Sequence, residues 1–486
     1  MLPSSGPAPA EDGEPSPPPD LLAFLRSPEH RTLLITGEPG VGKTTLSLSL
    51  LSALARPSFY VSTRVGRGNL LHHFPWLVGS LAPDRIADLE DVRPPSDRQE
   101  DLLHMMDHMT DSVDPLSAGR RLRDFLNFPE PIARALAEAP ARAGHRYLFI
   151  DSWEGLVEPY LHLLGLDDLG RSSLEHGLLS LLHAAGFSLV LDAESVAPPS
   201  LQYLADGVVE LHAEPSSAGL LRHLEIRKLR GHSIPRARLV FTLDQGRFTY
   251  LPPLPPPRSL PGATIYPAIS PPTPHGNLSL GIPALDREIG PISPGETLLA
   301  ESEGGGASTP LAAVLFPLWL RALRDGWKVS LLMDLAHSPA TITQGFRAAL
   351  PDPEMAERLS ILPNPSRTRP QEVWEDLLAT LKERTAVDVS VRTLSVLMSE
   401  TGEALLARLG QLLVQARESK AVLVLITSSP NPLLPVLSTL VPIHLVLRNY
   451  HGSVLLQGSH PCTPALGIMV RPEPVAGHRY RYVTMA

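Results

Sequence analysis

Residues 31–45 read RTLLITGEPGVGKTT, and this stretch decides the fold of the first half of the chain. The apolar run Arg31–Thr36 is typical of a β-strand, and the run LSLSLLSALA after the quoted stretch is typical of a helix. Between them lies the loop Gly37–Thr44, with the pattern G-x-x-x-x-G-K-T. A phosphate-binding P-loop, or Walker A motif, requires this order of strand, glycine loop and helix. The stretch therefore predicts a nucleoside-triphosphate site.

Phosphate chemistry gives the loop residues their expected roles. Glycines let the backbone wrap around phosphates, and the N-terminus of the helix adds partial positive charge. Lys43 is expected to reach the β- and γ-phosphates of ATP, and the Thr44 hydroxyl is expected to ligate Mg²⁺. The residues predicted to bind the nucleotide are Gly37, Glu38, Pro39, Gly40, Val41, Gly42, Lys43, Thr44 and Thr45. A glycine turn without nucleotide is the alternative.

A Mg²⁺-nucleotide site also needs a carboxylate at the end of a neighbouring buried strand. The apolar and aromatic run Arg146–Asp151, RYLFID, ends in such a carboxylate. We predict that Asp151 holds Mg²⁺ through a water molecule and that Asp151 and Lys43 are the catalytic residues. The alternative is an ordinary strand-end aspartate that caps the next turn.

Hydrolysis requires one more group, which orients or deprotonates the attacking water. Four carboxylates stand in suitable stretches: Glu38 in the loop, Glu154 and Glu158 after the RYLFID run, and Glu194 after the run SLVLDAE. Each of them could equally be a solvated or capping carboxylate. The sequence does not choose among them.

The remainder of the first half alternates strand-like and helix-like runs, which predicts a mostly parallel sheet flanked by helices. Residues 86–140 differ, because they are acidic, rich in Met and His, and helical in character, so we interpret them as an insertion. His104 and His108 have the i, i+4 spacing of metal ligands. No HExxH pattern or thiolate accompanies them, so a solvated helix face is the favoured interpretation.

Composition limits the class of protein. The chain has 486 residues and a formal net charge of -9, which argues against a protein built around nucleic-acid binding. Cys462 is the single cysteine, so no intrachain disulfide can form. The first residues lack the pattern of a signal peptide, and we find no apolar run long enough to span a bilayer. We therefore predict a cytoplasmic protein without membrane association.

Prolines indicate the domain boundaries. The chain has 52 prolines, about twice the usual share. Many lie in residues 1–20, predicted to be a disordered tail, and in residues 251–276, predicted to be a semi-rigid linker. The predicted domains are therefore residues 21–250 and 277–486, each of a normal size for one α/β domain.

Four segments resemble the KaiC/GvpD-like branch of the RecA-type ATPases, most closely the gas-vesicle regulator GvpD. They are GEPGVGKTTL, FYVSTRVGRGNLLHHFPWL at 59–77, the strand ending in IDS, and IRKLRG at 226–231. The last is similar to the K-x-R-G element of KaiC-like proteins. The resemblance implies that Lys228 and Arg230 reach the γ-phosphate of a neighbouring subunit in an oligomer. The alternative is that both are solvated cations on an exposed strand.

One departure from KaiC bears on activity. The resemblance implies a pair of glutamates at the end of the second strand, one of which activates water. The matching stretch here is Ser62-Thr63-Arg64. This difference favours slow turnover or nucleotide sensing.

The second half begins with LSLGIPALDREIGPISPGETLL at 278–299, which resembles the start of a KaiC-type domain. The glycine loop that follows, ESEGGGAST, places either Ala307 or Ser308 where the first half has Lys43. Neither residue is charged, and the acidic ESE adds like-charge repulsion toward phosphate. The run WKVSLLMD ends in Asp334, and VDVSVRT at 387–393 is expected to place Arg392 where Asp151 stands. We therefore predict a degenerate RecA-like domain; an unrelated α/β domain is the alternative.

Together these features predict two RecA-like α/β domains, of which the first binds ATP and Mg²⁺. The expected function is a slow ATPase that acts as a nucleotide-dependent regulator. A non-hydrolysing ATP sensor, a KaiC-like autokinase and a recombination-type motor remain alternatives. Beyond ATP, the expected partner is a second copy of the chain or another protein. The C-terminal run GHRYRYVTMA could stack on single-stranded nucleic acid, but an ordinary strand is favoured.

Overall fold

The computed structural model places most of the chain in two α/β units whose main boundary lies between Tyr250 and Leu251. The structure describes residues 16–54, 57–78, 81–88, 100, 102, 115–126, 128, 130–137, 146–194, 199–216, 219–254, 265–266, 276–303, 308–332, 355, 357–362, 369–472 and 478–485. His104, His108, Asp334 and Ala307 lie outside these residues. Within the described part, no helix is both long and apolar enough to cross a bilayer.

The first unit is built on a nine-stranded sheet in the order β3-β2-β4-β5-β1-β6-β7-β8-β9. Its strands are β1 Thr32–Gly37, β2 Ser58–Ser62, β3 Ile86–Asp88, β4 Arg146–Asp151, β5 Phe187–Asp192, β6 Gly207–Ser216, β7 Gly219–Leu229, β8 Arg238–Thr242 and β9 Thr249–Leu251. All neighbours from β3 to β6 are parallel, whereas β7 and β8 are antiparallel. The carboxyl ends of β1, β4 and β5 therefore lie side by side.

Helices cover both faces of this sheet. They are α1 Pro19–Leu25, α2 Lys43–Ala53, α3 Arg67–His73, α4 Pro115–Phe125, α5 Glu130–Ala137, α6 Trp153–Leu164, α7 Asp168–Ala184 and α8 Pro199–Leu204. The strands read as nearly continuous apolar runs because both faces are buried. In β4, Tyr147 and Phe149 join the core that contains α2, and Leu148 and Ile150 join the core that contains α7.

Two boundaries differ from those expected. Ile86–Asp88, assigned to the insertion, is the edge strand of the sheet and pairs with β2. At the predicted tail, Ser16 bridges to Thr249 and α1 already begins at Pro19. Leu21 and Phe24 are fully buried, and this burial holds the end of the predicted tail against the domain.

The second unit contains a ten-stranded sheet in the order β10-β19-β18-β17-β16-β11-β15-β14-β12-β13. Its strands are β10 Ile265–Tyr266, β11 Thr297–Glu303, β12 Lys328–Leu332, β13 Leu359–Ile361, β14 Thr385–Ser390, β15 Val422–Ser429, β16 Ile443–Tyr450, β17 Ser453–His460, β18 Leu466–Pro472 and β19 His478–Thr484. Its helices are α9 Pro283–Ile289, α10 Ser308–Arg324, α11 Pro370–Thr380, α12 Val391–Met398, α13 Gly402–Ser419 and α14 Leu434–Leu440.

The two sheets share one topology. The order β13-β12-β14-β15-β11-β16 repeats β3-β2-β4-β5-β1-β6 strand for strand, and antiparallel strands follow in both. An unrelated second domain would not reproduce this order. The predicted fold, tandem RecA-like domains with mostly parallel sheets flanked by helices, is confirmed.

Two expectations for the second half change. Ile265–Tyr266, placed in the linker, forms β10 and pairs with β19. The C-terminal run is β19, whose Tyr480 is only 4% exposed. Because the Tyr480 ring is packed in the core, it is not available to stack on a base.

Asp388, in the middle of β14, is a buried acid with a testable cost to stability. Burial raises the pKa of its carboxyl well above the ordinary value, and its Oδ1 has no hydrogen-bond partner among the described residues. The unfolded chain ionises near pH ~3.9 while the folded chain keeps the proton. The contribution of this protonated carboxyl to the free energy of unfolding is therefore fully present below that pH. It is lost as the pH rises toward the pKa of the folded state.

We expect Asp388→Asn to stabilise the protein, because the neutral amide removes this linkage. The gain in the free energy of unfolding should be near zero at pH 4 and reach about 1–3 kcal/mol at pH 8. Urea unfolding at both pH values measures it. Asp376→Asn, at an exposed position on α11, should show no such pH dependence. Equal effects of Asp388→Asn at both pH values would contradict the prediction.

Candidate functional site

The glycine loop links the end of β1 to the start of α2. Gly37 has φ of +143°, and a Cβ there would lie 2.5 Å from the Leu211 carbonyl oxygen on β6. Gly42 has φ of +112°, and a Cβ there would lie 2.8 Å from the Leu243 side chain. A side chain at either position would therefore deform the loop. No side chain caps α2 at Gly42, so its first-turn amides are available to an anion.

Lys43, the first residue of α2, is half-buried against the loop. Its Nζ donates to the carbonyl oxygens of Gly37, at 2.6 Å, and Glu38, at 3.1 Å. Burial lowers the pKa of Lys43, while the nearby carboxylates of Asp192, Asp151 and Glu154 oppose the shift. The ammonium is thus a cation surrounded by acids and held by carbonyls that a phosphate could replace.

Thr44 and Asp151 are in direct contact. The Thr44 hydroxyl donates to Asp151 Oδ2 at 2.7 Å, and the Tyr60 hydroxyl donates to the same oxygen at 2.8 Å. Burial and the charge of Asp151 raise the pKa of Tyr60 well above its ordinary value, so this phenol stays a donor. A hydroxyl and a carboxylate at this separation are oxygen donors of the kind that Mg²⁺ prefers.

Asp192, at the end of β5, is a member of the site that the sequence analysis missed. It stands beside Asp151 in register, and Ser47 of α2 donates to its Oδ1 at 2.6 Å. Burial first, and the charge of Asp151 second, raise the pKa of Asp192 well above its ordinary value. This raised pKa favours the neutral form of Asp192 over the ionised form. The available signal was a buried apolar run, FSLVLD, that ends in an acid just as RYLFID does.

The four candidate bases separate clearly. Glu38 is exposed, Glu158 forms an ion pair of 2.8 Å with Arg171, and Glu194 forms one with Arg64. Glu154, in the first turn of α6, accepts hydrogen bonds from the Glu194 amide at 3.1 and 3.2 Å. Burial raises the pKa of Glu154, against the charges of Arg171, Arg64 and Lys43. Of the four, Glu154 combines partial burial with proximity to Lys43.

The stretch that replaces the glutamate pair holds the end of β4 in place. The Thr63 amide donates to the Asp151 carbonyl at 2.7 Å, and its hydroxyl accepts from the Ser152 amide at 2.8 Å. Residues 62–64 thus support the end of β4, and no carboxylate comes from this position.

Known proteins match the first of the two domains. Residues 21–230 match the family model described as "GvpD gas vesicle protein, P-loop domain". These residues are therefore similar to a GvpD P-loop domain, and we call them the GvpD-like domain. Protein GvpD2 of Halobacterium salinarum is 29% identical over 331 residues, and Protein GvpD1 of the same organism is 30% identical over 240 residues. The two alignments cover 67% and 49% of this chain, and 59% and 41% of the relatives. The chain thus spans less than two thirds of the lengths of these relatives. The family match and the two relatives confirm the predicted resemblance to GvpD.

Within the GvpD-like domain, Lys228 and Arg230 lie away from the loop. Lys228 Nζ donates to the carbonyls of Gln202, Tyr203 and Ala205 at the end of α8. Arg230 pairs with Asp206, whose amide donates to Thr32 O at the start of β1. The loop follows the opposite end of β1, so these two cations do not join the site of their own chain.

The second domain settles how the glycine loops align. Asp151 pairs with Asp192, which pairs with Ile35; likewise Ser390 pairs with Ile426, which pairs with Ala300. Lys43 is the first residue of the helix after β1, and Ser308 is the first residue of the helix after β11. Each follows its reference residue, Ile35 or Ala300, by the same number of sequence positions. Ser308, the second of the two alternatives, therefore takes the place of Lys43.

The expected position of Arg392 is wrong. β14 ends at Ser390, whose side chain accepts from the Thr393 amide and caps α12, so Arg392 lies in that helix. Ser390, which has no charge, takes the place of Asp151. The acids before the loop also have partners: Glu301 lies 3.0 Å from His444, and Glu303 lies 3.0 Å from Arg448. Their repulsion toward phosphate is weaker than the sequence suggested.

Proposed function

We propose that the GvpD-like domain binds ATP with Mg²⁺ and hydrolyses it slowly, and that the chain is a nucleotide-dependent regulator. The convergence of Lys43, Thr44 and Asp151 carries the proposal, because these groups supply the cation and the two oxygens that a magnesium-bound triphosphate needs. Bound Mg²⁺ would neutralise charge on the β- and γ-phosphates. We further propose that the protein acts in the cytoplasm, where ATP is available.

Residues of this chain are assigned distinct parts. The loop amides of residues 37–44 and the Lys43 ammonium bind phosphate, and Thr44 and Asp151 hold the metal. Tyr60 orients Asp151, and the burial that raises the pKa of Asp192 limits the negative charge at the site. Glu154 is the favoured acceptor of a proton from the attacking water, since it is half-buried beside Lys43.

Slow turnover and a regulatory role rest on two further observations. Thr63 stands where the KaiC resemblance implies a glutamate, and it bonds to the end of β4. The second domain repeats the fold but has Ser308 and Ser390 in place of the lysine and the aspartate. A pair of domains in which only one responds to nucleotide suits a switch better than a motor.

The function is tested with purified full-length protein. Calorimetry with ATP, with and without Mg²⁺, should show magnesium-dependent binding, and a phosphate-release assay should show slow turnover. Light scattering with and without nucleotide reports assembly. Binding without phosphate release would replace the ATPase with the alternative of a non-hydrolysing sensor. Absence of binding would overturn the proposal.

We also propose that Lys228 and Arg230 act on the nucleotide of a neighbouring copy, since they are too far from their own loop. Arg230→Ala should then lower phosphate release at least ~10-fold, because a cation supplied in trans is worth about 10³–10⁵ in rate. Mixing Arg230→Ala with Lys43→Ala should restore part of the activity, because mixed oligomers contain complete sites. Arg227→Ala, which removes an exposed cation on β7 three residues earlier, is the control. No recovery on mixing would show that Arg230 serves only its contacts within its own chain, with Asp206 and the Tyr203 carbonyl.

A further inference from the structure

Adjacent strands β6 and β7 carry a cluster of possible metal ligands that the nucleotide site does not use. His212 on β6 and His223 and Glu225 on β7 bring one ligand atom each to within 4.8 Å of one another. The two imidazole rings stack, with centroids 4.8 Å apart and planes inclined by 21°. Two strands thus fix three donors in one small volume.

His212 has a buried ring nitrogen, Nε2, without a hydrogen-bond partner in the described part of the chain. The nearest acids are Glu210, at 3.7 Å, and Glu225, at 4.0 Å, both beyond hydrogen-bond distance. A buried polar atom without a partner is costly, and a ligand placed between it and these carboxylates would remove that cost.

We propose that His212, His223 and Glu225 bind one divalent transition-metal ion, with Zn²⁺ as the best fit. Imidazole nitrogens and a carboxylate are its usual ligands, at about 2.0–2.2 Å from the ion. A tetrahedral site of this size sets donors roughly 3.3 Å apart. Small rotations of the side chains would close the present spacing, while the hydrogen-bonded strands keep the backbone fixed.

The surroundings of Glu225 suit a ligand that is already oriented. Arg227 Nη1 lies 2.8 Å from Glu225 Oε1, and Glu225 Oε2 lies between His212 Nε2, at 4.0 Å, and Arg238 Nε, at 3.5 Å. A carboxylate ligand held by an outer partner is a common arrangement in metal sites. Arg227 and Arg238 also repel a cation, but both are about half exposed, so solvent weakens that repulsion. Glu210 could supply a fourth oxygen.

The site would tie β6 to β7 and is independent of the proposed nucleotide function. Leu211, next to His212, pairs with Gly37, yet His212 belongs to neither the phosphate-binding nor the magnesium-binding set. The ligands also differ in kind: Thr44 and Asp151 offer oxygen alone, whereas this cluster offers two nitrogens. Zn²⁺ binding should therefore persist in the Lys43→Ala variant.

The test uses metal-free full-length protein titrated with ZnCl₂ by calorimetry, and Co²⁺ as a spectroscopic probe. We expect one high-affinity site, with the visible absorption of four-coordinate Co²⁺. Glu225→Gln, which keeps the size of the side chain, and His212→Ala should each weaken this binding at least ~10-fold. His176→Ala, at an exposed histidine of α7, is the matched control and should leave it unchanged.

Thermal unfolding supplies a second readout. Zn²⁺ should raise the midpoint of the wild type and of His176→Ala, because a ligand that binds the folded state stabilises it. The rise should disappear in Glu225→Gln, provided that circular dichroism shows that the variant is folded. The proposal is overturned if Zn²⁺ does not bind, or if it binds Glu225→Gln and His212→Ala as well as it binds the wild type. In that second outcome other histidines of the chain hold the metal.

Discussion

Lys43→Ala should abolish measurable turnover and weaken the binding of magnesium-ATP by about 10²–10³-fold. The Lys43 ammonium is half-buried, and the carbonyls of Gly37 and Glu38 hold it at the loop. A charge-assisted hydrogen bond to phosphate contributes about 1.5–3 kcal/mol, and Lys43 could form more than one. Calorimetry measures the affinity, and phosphate release measures the turnover.

The second domain offers a matched control for this variant. Ser308 takes the position of Lys43 in a domain of the same topology, at the start of α10. Ser308→Ala should leave nucleotide binding and phosphate release within about twofold of the wild type, since no cation is lost. Loss of activity in Ser308→Ala, or its retention in Lys43→Ala, would contradict the assignment of the nucleotide to the first domain.

Glu154→Gln should reduce phosphate release by about 10²–10⁴-fold, the usual contribution of a general base. The amide keeps the size of the side chain but cannot accept the proton, so the affinity for ATP should change little. Glu158→Gln is the matched control, because Glu158 lies one turn further along the same helix and pairs with Arg171. Equal losses in the two variants would show that only the helix α6 had been disturbed.

The same role predicts a pH dependence. A general base acts only when it is deprotonated, so the rate should rise with pH through the pKa of Glu154. Burial raises that pKa above the ordinary value of 4.5, so the rise should occur at higher pH than for an exposed glutamate. The Glu154→Gln variant should lack this rise in the pH profile of turnover. A rise that persists in the variant would assign it to another group.

The two domains illustrate how one fold keeps or loses a site. The sheets of the first and second domains place equivalent residues at equivalent ends of their strands, because parallel strands bring their carboxyl ends to one edge. In the first domain this edge carries Lys43, Asp151 and Asp192. In the second domain the same positions carry Ser308, Ser390 and Ile426. The backbone arrangement has been retained while the charges that nucleotide binding requires have gone. The contrast is the physical basis of the proposed regulator.

The sequence alone determined the parts that depend on local order. Strand, glycine loop and helix follow one another without a break at residues 31–53, so the P-loop and the position of Lys43 could be predicted. RYLFID identified Asp151 because a buried strand that ends in an acid is visible in one short stretch. The tandem fold was also predictable, since both halves repeat the same succession of elements.

Only the tertiary structure decided which distant groups meet. Asp192 and Tyr60 join the site because β5 and β2 flank β4, and no local pattern records which strands are neighbours. The burial of Glu154 distinguished it from the three other candidate bases. Strand register assigned Ser308 and Ser390 to the positions of Lys43 and Asp151, and the sequences of the loops alone do not fix that register. His212 and Glu225 face each other across two strands for the same reason. Burial and pairing are properties of the folded chain, whereas propensity and motif belong to short segments of it.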